Sequence, residues 1–170
     1  KRVAADNKQS VKHLIPDVPE KSNGKRIALI GGGPASLTVA RDLAPLGYSL
    51  DLYDDQARAG GMMLSQIPAF RLPVEVLDEE VDYILDLGIN QIFETYIDSM
   101  KDVLNKGYDA VFVGTGAPRG SDLDLPGRRE AAEHIHVGID WLSSVAFEHI
   151  DSIAERVVVL GGGNTAMDCC

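Results

Sequence analysis

The sequence predicts an α/β protein built on a parallel sheet, and three features of the chain point there. An apolar run, Ile27, Ala28, Leu29 and Ile30, breaks into Gly31-Gly-Gly33 and then opens a helix at Pro34. A second run, Val157-Val-Val-Leu160, breaks into Gly161-Gly-Gly163 in the same way. Between the two, apolar strands alternate with helical periods, the order in which crossover helices join parallel strands.

The first run has the continuous apolar character of a strand buried on both faces. Gly31 supplies the tight turn after it, and Gly33 leaves room for backbone to approach a phosphate. A helix expected over Pro34 to Leu46 aims the unpaired N–H groups of its first turn at an anion. Pro34 suits a first helical position because it has no N–H to leave unpaired. The third small residue of the pattern is Ser36, where Gly or Ala is usual; Ser still allows close helix–strand packing. Gly47 closes the helix, and Ser49 to Tyr53 forms the next strand, ending in Asp54 and Asp55. Asp54 lies 23 residues past Gly31, near the spacing of about 20 at which an acid meets the ribose of a bound dinucleotide. Turn, helix, strand and acid in that order describe a Rossmann-like dinucleotide-binding unit. The turn pattern by itself also fits a glycine-rich connection that holds no ligand.

Gly60 and Gly61 allow backbone to approach a ligand or turn the chain. From Pro73 to Leu87, Leu77, Val81, Ile84 and Leu85 recur at helical spacing, with acids on the rest of the wheel. These acids read as a solvated face rather than a metal site. Gly88 ends this helix, Gln91 to Thr95 is expected as a strand, and Met100 to Leu104 as a short helix. Ala110 to Val113 is another buried strand, ending in Gly114-Thr-Gly116. Pro118 to Arg129 is turn-rich, and a helix follows around Gly138 to Phe147. Arg156 to Leu160 then repeats the apolar strand, with Gly161, Gly163 and Ala166 opening a helix. The sequence stops at Cys170 inside that helix, so a fragment is expected: a basic linker over 1–24, an incomplete dinucleotide-binding domain over 25–150, and the start of a second nucleotide domain over 151–170.

Composition narrows the function classes. The 170 residues are 45% hydrophobic, ample for a core. A net charge of −10 argues against a nucleic-acid or anionic-membrane binder. Charge is uneven, however: residues 1–26 carry net +4, leaving −14 for the remainder. The opening segment, with Pro16, Pro19, Ser22, Asn23 and Gly24, reads as a solvated linker, with docking on an acidic neighbour as the alternative. No apolar run is long enough for a membrane span and no hydrophobic leader opens the chain, so the default expectation is a soluble cytoplasmic protein, with a cleaved precursor as the alternative. The only cysteines, Cys169 and Cys170, are adjacent and form no C-x-x-C. The four histidines are scattered, without metal-ligand spacing.

Several segments together resemble a known family. Gly31-Gly-Gly-Pro-Ala-Ser36, Gly60-Gly-Met62, Ile67-Pro-Ala-Phe-Arg-Leu-Pro73, Tyr108 to Gly116 and Val157 to Cys169 are similar, in order, to the flavoprotein electron-input module of the glutamate synthase small subunit. They are also similar to the amino-terminal flavin region of dihydropyrimidine dehydrogenase. The resemblance covers nearly the whole chain. It implies FAD on the first turn, with Gly33, Pro34, Ala35, Ser36 and Leu37 along the pyrophosphate, Asp54 on the ribose, and Gly61, Met62 and Arg71 toward the flavin. It places Ile97 beside the adenine and makes Gly114, Thr115 and Gly116 a second FAD-contacting strand end. Gly161, Gly163, Asn164 and Thr165 resemble an NAD(P)H pyrophosphate turn. It further implies a larger electron-accepting subunit or domain with iron–sulfur clusters; the cysteine clusters that family members carry ahead of the basic segment are not in this sequence.

The expected function is thus the electron-input part of an FAD-dependent NAD(P)H oxidoreductase, with no residue assigned as general acid or base. A thioredoxin-reductase-like disulfide reductase would need a C-x-x-C pair. A non-catalytic docking or regulatory module that keeps the fold is the alternative from another class.

Overall fold

Four short strands lie parallel in the order β3-β2-β1-β4 in the computed structural model, which describes residues 12–170. They are β1 Arg26–Ile30, β2 Ser49–Tyr53, β3 Asn90–Ile92 and β4 Ala110–Val113. β1 is central: Ile27 pairs with Leu50 of β2 and with Ala110 of β4. Parallel neighbours need crossovers, and helices supply them. Helix α1, Pro34–Leu43, joins β1 to β2; α2, Met62–Ser65, and α3, Val74–Leu85, lie between β2 and β3; α4, Met100–Leu104, precedes β4. Two further helices follow the sheet, α5 Gly138–Ala146 and α6 Asn164–Asp168.

Alternation along the strands divides the core between two layers. Ile27, Leu29, Leu50 and Leu52 face one side, where Leu37 and Ala40 of α1 and Leu77 and Val81 of α3 cover them. Ala28, Ile30 and Tyr53 face the other, against Val103 of α4. Because every strand runs the same way, the turns after β1, β2 and β4 all open at one edge. The break in strand order between β2 and β4, on either side of β1, makes this the edge where α/β sheets bind ligands.

The predicted β1, β2, β4 and α4 appear at or within a residue of their expected bounds. The helix expected over Pro34 to Leu46 changes to a 3₁₀ turn at Ala44–Leu46. Pro45 has no N–H for the α ladder, and Gly47 closes the turn with φ 81°. The strand expected over Gln91 to Thr95 is shifted to Asn90–Ile92. After Ile92 the chain leaves the sheet to follow the loop beyond β2, Glu94 N–H donating to Gln56 O at 3.0 Å and Thr95 N–H to Asp54 O at 2.9 Å.

The expected strand over Arg156 to Leu160 is not formed. A strand exists only against a partner, and none of the four strands pairs with this segment. Val157, Val158 and Leu160 stand in solvent, Val158 at 84% exposure. At the other end, the described part of the opening segment is pinned near α1: Ser22 Oγ donates to Gly47 O at 3.0 Å and Asn23 N–H donates to the same carbonyl at 2.9 Å. The rest of the basic stretch, residues 1–11, lies outside the described residues.

A polar network occupies the second face of the sheet. Tyr108 Oη donates to Asp51 Oδ2 at 2.6 Å, Arg26 reaches the same oxygen at 2.9 Å, and Asn90 donates to Oδ1 at 2.8 Å. Burial pushes the Asp51 carboxyl up, but these hydrogen bonds together hold it below the ordinary value. Burial, followed by the contacts with Asp51 and with the Tyr53 hydroxyl 2.8 Å away, pushes the Tyr108 hydroxyl far upward, so it remains a donor.

Candidate functional site at the edge of the sheet

The site begins where β1 ends. Gly31 has φ 95°, and a Cβ there would lie 2.6 Å from the carbonyl oxygen of Gly114. Only glycine lets the turn pass so close to the end of β4. Gly31 N–H donates to Tyr53 O at 2.8 Å, and Gly114 N–H donates to Ile30 O at 2.8 Å, which ties the ends of β2, β1 and β4 together.

Gly33 behaves differently. Its backbone, φ −77° and ψ 178°, suits any residue, and a Cβ would meet nothing nearer than Gly61 Cα at 3.9 Å. No protein atom therefore demands a glycine at this position, and the space beside it is open to a ligand. α1 starts at Pro34 with no side-chain cap, and its first bond runs from Leu37 N–H to Gly33 O at 3.1 Å. Ala35 and Ser36 thus have no intrahelical acceptor for their N–H groups, which lie at the positive end of a ten-residue helix. An open glycine beside an uncapped helix end is the fit required for a pyrophosphate.

The surrounding residues support this turn. Ser36 is fully buried, and a Cβ on Gly114 would fall 2.5 Å from its hydroxyl. The missing side chain of Gly114 makes room for the serine, so Ser36 in place of Gly or Ala is accommodated. Its Oγ has no hydrogen-bond partner. Asp54 accepts from Gly32 N–H and, at 2.8 Å, from Gln56 N–H. Burial raises its carboxyl above the ordinary value, and these two backbone donors partly oppose the rise. The acid expected at a ribose is therefore held beside the glycine turn. Gly61, at φ 52°, would place a Cβ 2.7 Å from Gly33 Cα, while Gly60 N–H donates to Gly32 O at 2.9 Å. The second glycine pair thus packs backbone to backbone on the first, and Met62, half-exposed, begins α2 from there.

The other expected residues are more dispersed. Ile97 is half-buried on the second face of the sheet, packed with the cluster around Tyr53. Thr115 and Gly116 run outward from β4, both exposed. The turn at Gly161 to Thr165 repeats the first: Gly163, at φ −84° and ψ 176°, has the conformation of Gly33 and nothing within 4 Å of a Cβ. Asn164 opens α6, and Thr165 packs by its methyl group where a Gly138 Cβ would stand 3.2 Å away. Arg71 makes an ion pair with Asp168, Nη1 standing 2.6 Å from each carboxylate oxygen.

Sequence reasoning did not name Asp168, nor Gly32 as the donor to Asp54. Asp168 was visible only as part of the segment Asn164-Thr-Ala-Met-Asp168, and nothing local linked it to an arginine 97 residues away. Among the described residues, no group of three His, Cys, Asp or Glu side chains is placed to hold a metal ion. None of their helices is long and apolar enough to cross a membrane.

A parallel β3-β2-β1-β4 sheet with a glycine turn at its switch point defines a Rossmann-like nucleotide-binding fold. Residues 25–170 match the family model described as pyridine nucleotide-disulphide oxidoreductase, and the chain belongs to that family. Its members work with FAD and a pyridine nucleotide. The chain is 37% identical over 151 residues to the NADP(+)-dependent formate dehydrogenase subunit beta of Moorella thermoacetica, covering 87% of this chain and 21% of that one. It is 35% identical over 170 residues to the NAD-dependent dihydropyrimidine dehydrogenase subunit PreT homolog of Salmonella typhi, covering 98% and 40%. With the glutamate synthase [NADPH] small chain of Bacillus subtilis it shares 31% over 168 residues, covering 92% and 34%. The resemblance read from the motifs therefore holds, and the chain spans less than half the length of these relatives.

Proposed function

We propose that this chain is the FAD-holding electron-input part of an NAD(P)H-dependent oxidoreductase that delivers electrons to iron–sulfur centres in partner domains or subunits. The observation that carries the reading is Gly33: an unstrained, unobstructed glycine at the uncapped start of α1, with Gly61 and Asp54 packed around it. The N–H groups of Ala35 and Ser36 would bind the FAD pyrophosphate. Asp54, already desolvated, would turn an oxygen toward the ribose. Gly61, Met62 and Arg71 would line the flavin side, with Ile97 toward the adenine and Gly114, Thr115 and Gly116 along the second strand end. Gly161, Gly163, Asn164 and Thr165 would carry the NAD(P)H pyrophosphate.

When bound, FAD supplies the conversion between a two-electron hydride donor and one-electron acceptors. The protein's part is to bind, orient and shield. The described residues offer no C-x-x-C for a disulfide exchange, so the disulphide in the family's description does not carry over to these thiols. Residues 25–150 would form the FAD-binding part and 151–170 the start of the NAD(P)H-binding part. The reading includes a cytoplasmic setting. Titrating the full-length apoprotein with FAD tests it: saturable uptake at one FAD per chain is expected, and absence of uptake would defeat it.

A further inference from the structure

We infer that Asp168 is a positioning residue for the flavin site: its carboxylate holds the Arg71 guanidinium and locks the segment after the second glycine turn onto the segment that faces the flavin. The inference rests on the functional reading above, which places Arg71 toward the flavin, and adds to it a residue on the other nucleotide turn.

Three observations carry it. The first is the pair itself: Arg71 Nη1 lies 2.6 Å from both oxygens of Asp168. The second is its asymmetry. The Asp168 side chain is 7% exposed, whereas that of Arg71 is 43% exposed. A carboxylate withdrawn from water needs a cation beside it, so this contact is a requirement for Asp168 rather than a chance meeting of two solvated chains. The third is the seating of the helix that bears Asp168. α6 packs on α5, and α5 packs on α2, the helix that follows Gly61. Gly138, the first residue of α5, approaches Thr165 and Cys169 so closely that a Cβ would lie 3.2 Å and 3.4 Å from their side chains. Cys169 Sγ also donates to Gly138 O at 3.8 Å.

Asp168 therefore sits at the end of a packed path from the first glycine site through α2 and α5 to α6, and the ion pair closes the path into a ring. In this ring the rotamer of Arg71 is set from the second nucleotide turn. A change on that turn changes where the guanidinium stands relative to the flavin segment.

The test uses the full-length protein and the variants Asp168→Asn, Asp168→Glu and the charge exchange Arg71→Asp with Asp168→Arg. Hydrogen exchange of the apoprotein is followed in peptides covering 67–73 and 164–168, and FAD dissociation constants are measured by fluorescence quenching. Asp168→Asn is expected to speed exchange in both peptides and to weaken FAD by about threefold to thirtyfold, the range for one partly screened ion pair. Asp168→Glu, which keeps the charge, should recover part of both losses. The charge exchange should restore the exchange protection but not FAD affinity, because the guanidinium then stands on the wrong segment. Wild-type FAD affinity in Asp168→Asn would overturn the inference, whether or not exchange changed, since the pair would then be structural at most. A wild-type protein that binds no FAD would instead defeat the functional reading, and the inference with it; the two failures are told apart by the wild-type titration.

Discussion

Replacing Gly33 by Ala separates a glycine kept for a ligand from one kept for the fold. At φ −77° and ψ 178° alanine is unstrained, and its Cβ would stand 3.9 Å from the nearest protein atom, Gly61 Cα. Loss of unfolded-chain entropy favours the variant by about 0.4–1 kcal/mol. Alanine is the poorer residue at a helix start, which opposes this by roughly 0.5–1 kcal/mol. The apoprotein should therefore melt close to the wild type. FAD binding should respond differently, because the methyl group enters the space where the pyrophosphate would approach. If one charge-assisted hydrogen bond is lost, worth about 1.5–3 kcal/mol, the dissociation constant rises by about 10- to 150-fold. FAD titration and apoprotein thermal melts, run side by side on the full-length protein, read the two effects. An unchanged FAD affinity, or an apoprotein weakened by more than about 2 kcal/mol, would refute the reasoning.

The opposite pattern is expected of Gly61→Ala: its φ of 52° and a Cβ 2.7 Å from Gly33 Cα should lower apoprotein stability by about 1–3 kcal/mol, seen as an earlier melt without ligand. Asp51→Ala should destabilise the fold by about 1–3 kcal/mol by removing the carboxylate to which the part-buried Tyr108 hydroxyl donates. The folded-state pKa of Asp51 lies below its unfolded value, so its stabilisation is present above the unfolded pKa and is lost as pH falls through the folded one. The variant's urea-unfolding profile should consequently be flatter on the acid side, and an unchanged slope there would count against the network. Asp54→Asn, which keeps an acceptor oxygen beside the Gly32 and Gln56 N–H groups while removing a desolvated charge, should weaken FAD binding, so calorimetry should show lower affinity without a matching loss of apoprotein stability.

The sheet was readable because parallel strands announce themselves: Ile27 to Ile30 and Ala110 to Val113 are apolar runs punctuated by glycine, and both form where expected, although β4, expected to be buried, lies at the sheet edge with Ala110 and Val113 exposed. Arg156 to Leu160 has the same local signal and forms no strand, because pairing is a property of two segments and a sequence run specifies only one. The shift at Asn90–Ile92 has a similar origin, since the hydrogen bonds of Glu94 and Thr95 to the loop beyond β2 decide where the strand ends. At the site, the glycine spacing disclosed the turn but not the different duties of its glycines. Gly31 and Gly61 are fixed by neighbouring backbone, Gly114 by Ser36, and Gly33 by nothing in the protein. Asp168 and Arg71 meet only in three dimensions, so their pairing left no local trace.

The central claim is that the first glycine turn holds FAD, and the visible absorption spectrum of the purified full-length protein tests it most directly. The account predicts a yellow protein with flavin absorbance, one FAD per chain released on heat denaturation, and colour lost in Gly33→Ala at limiting FAD. A colourless wild-type protein that takes up no FAD on titration would contradict it.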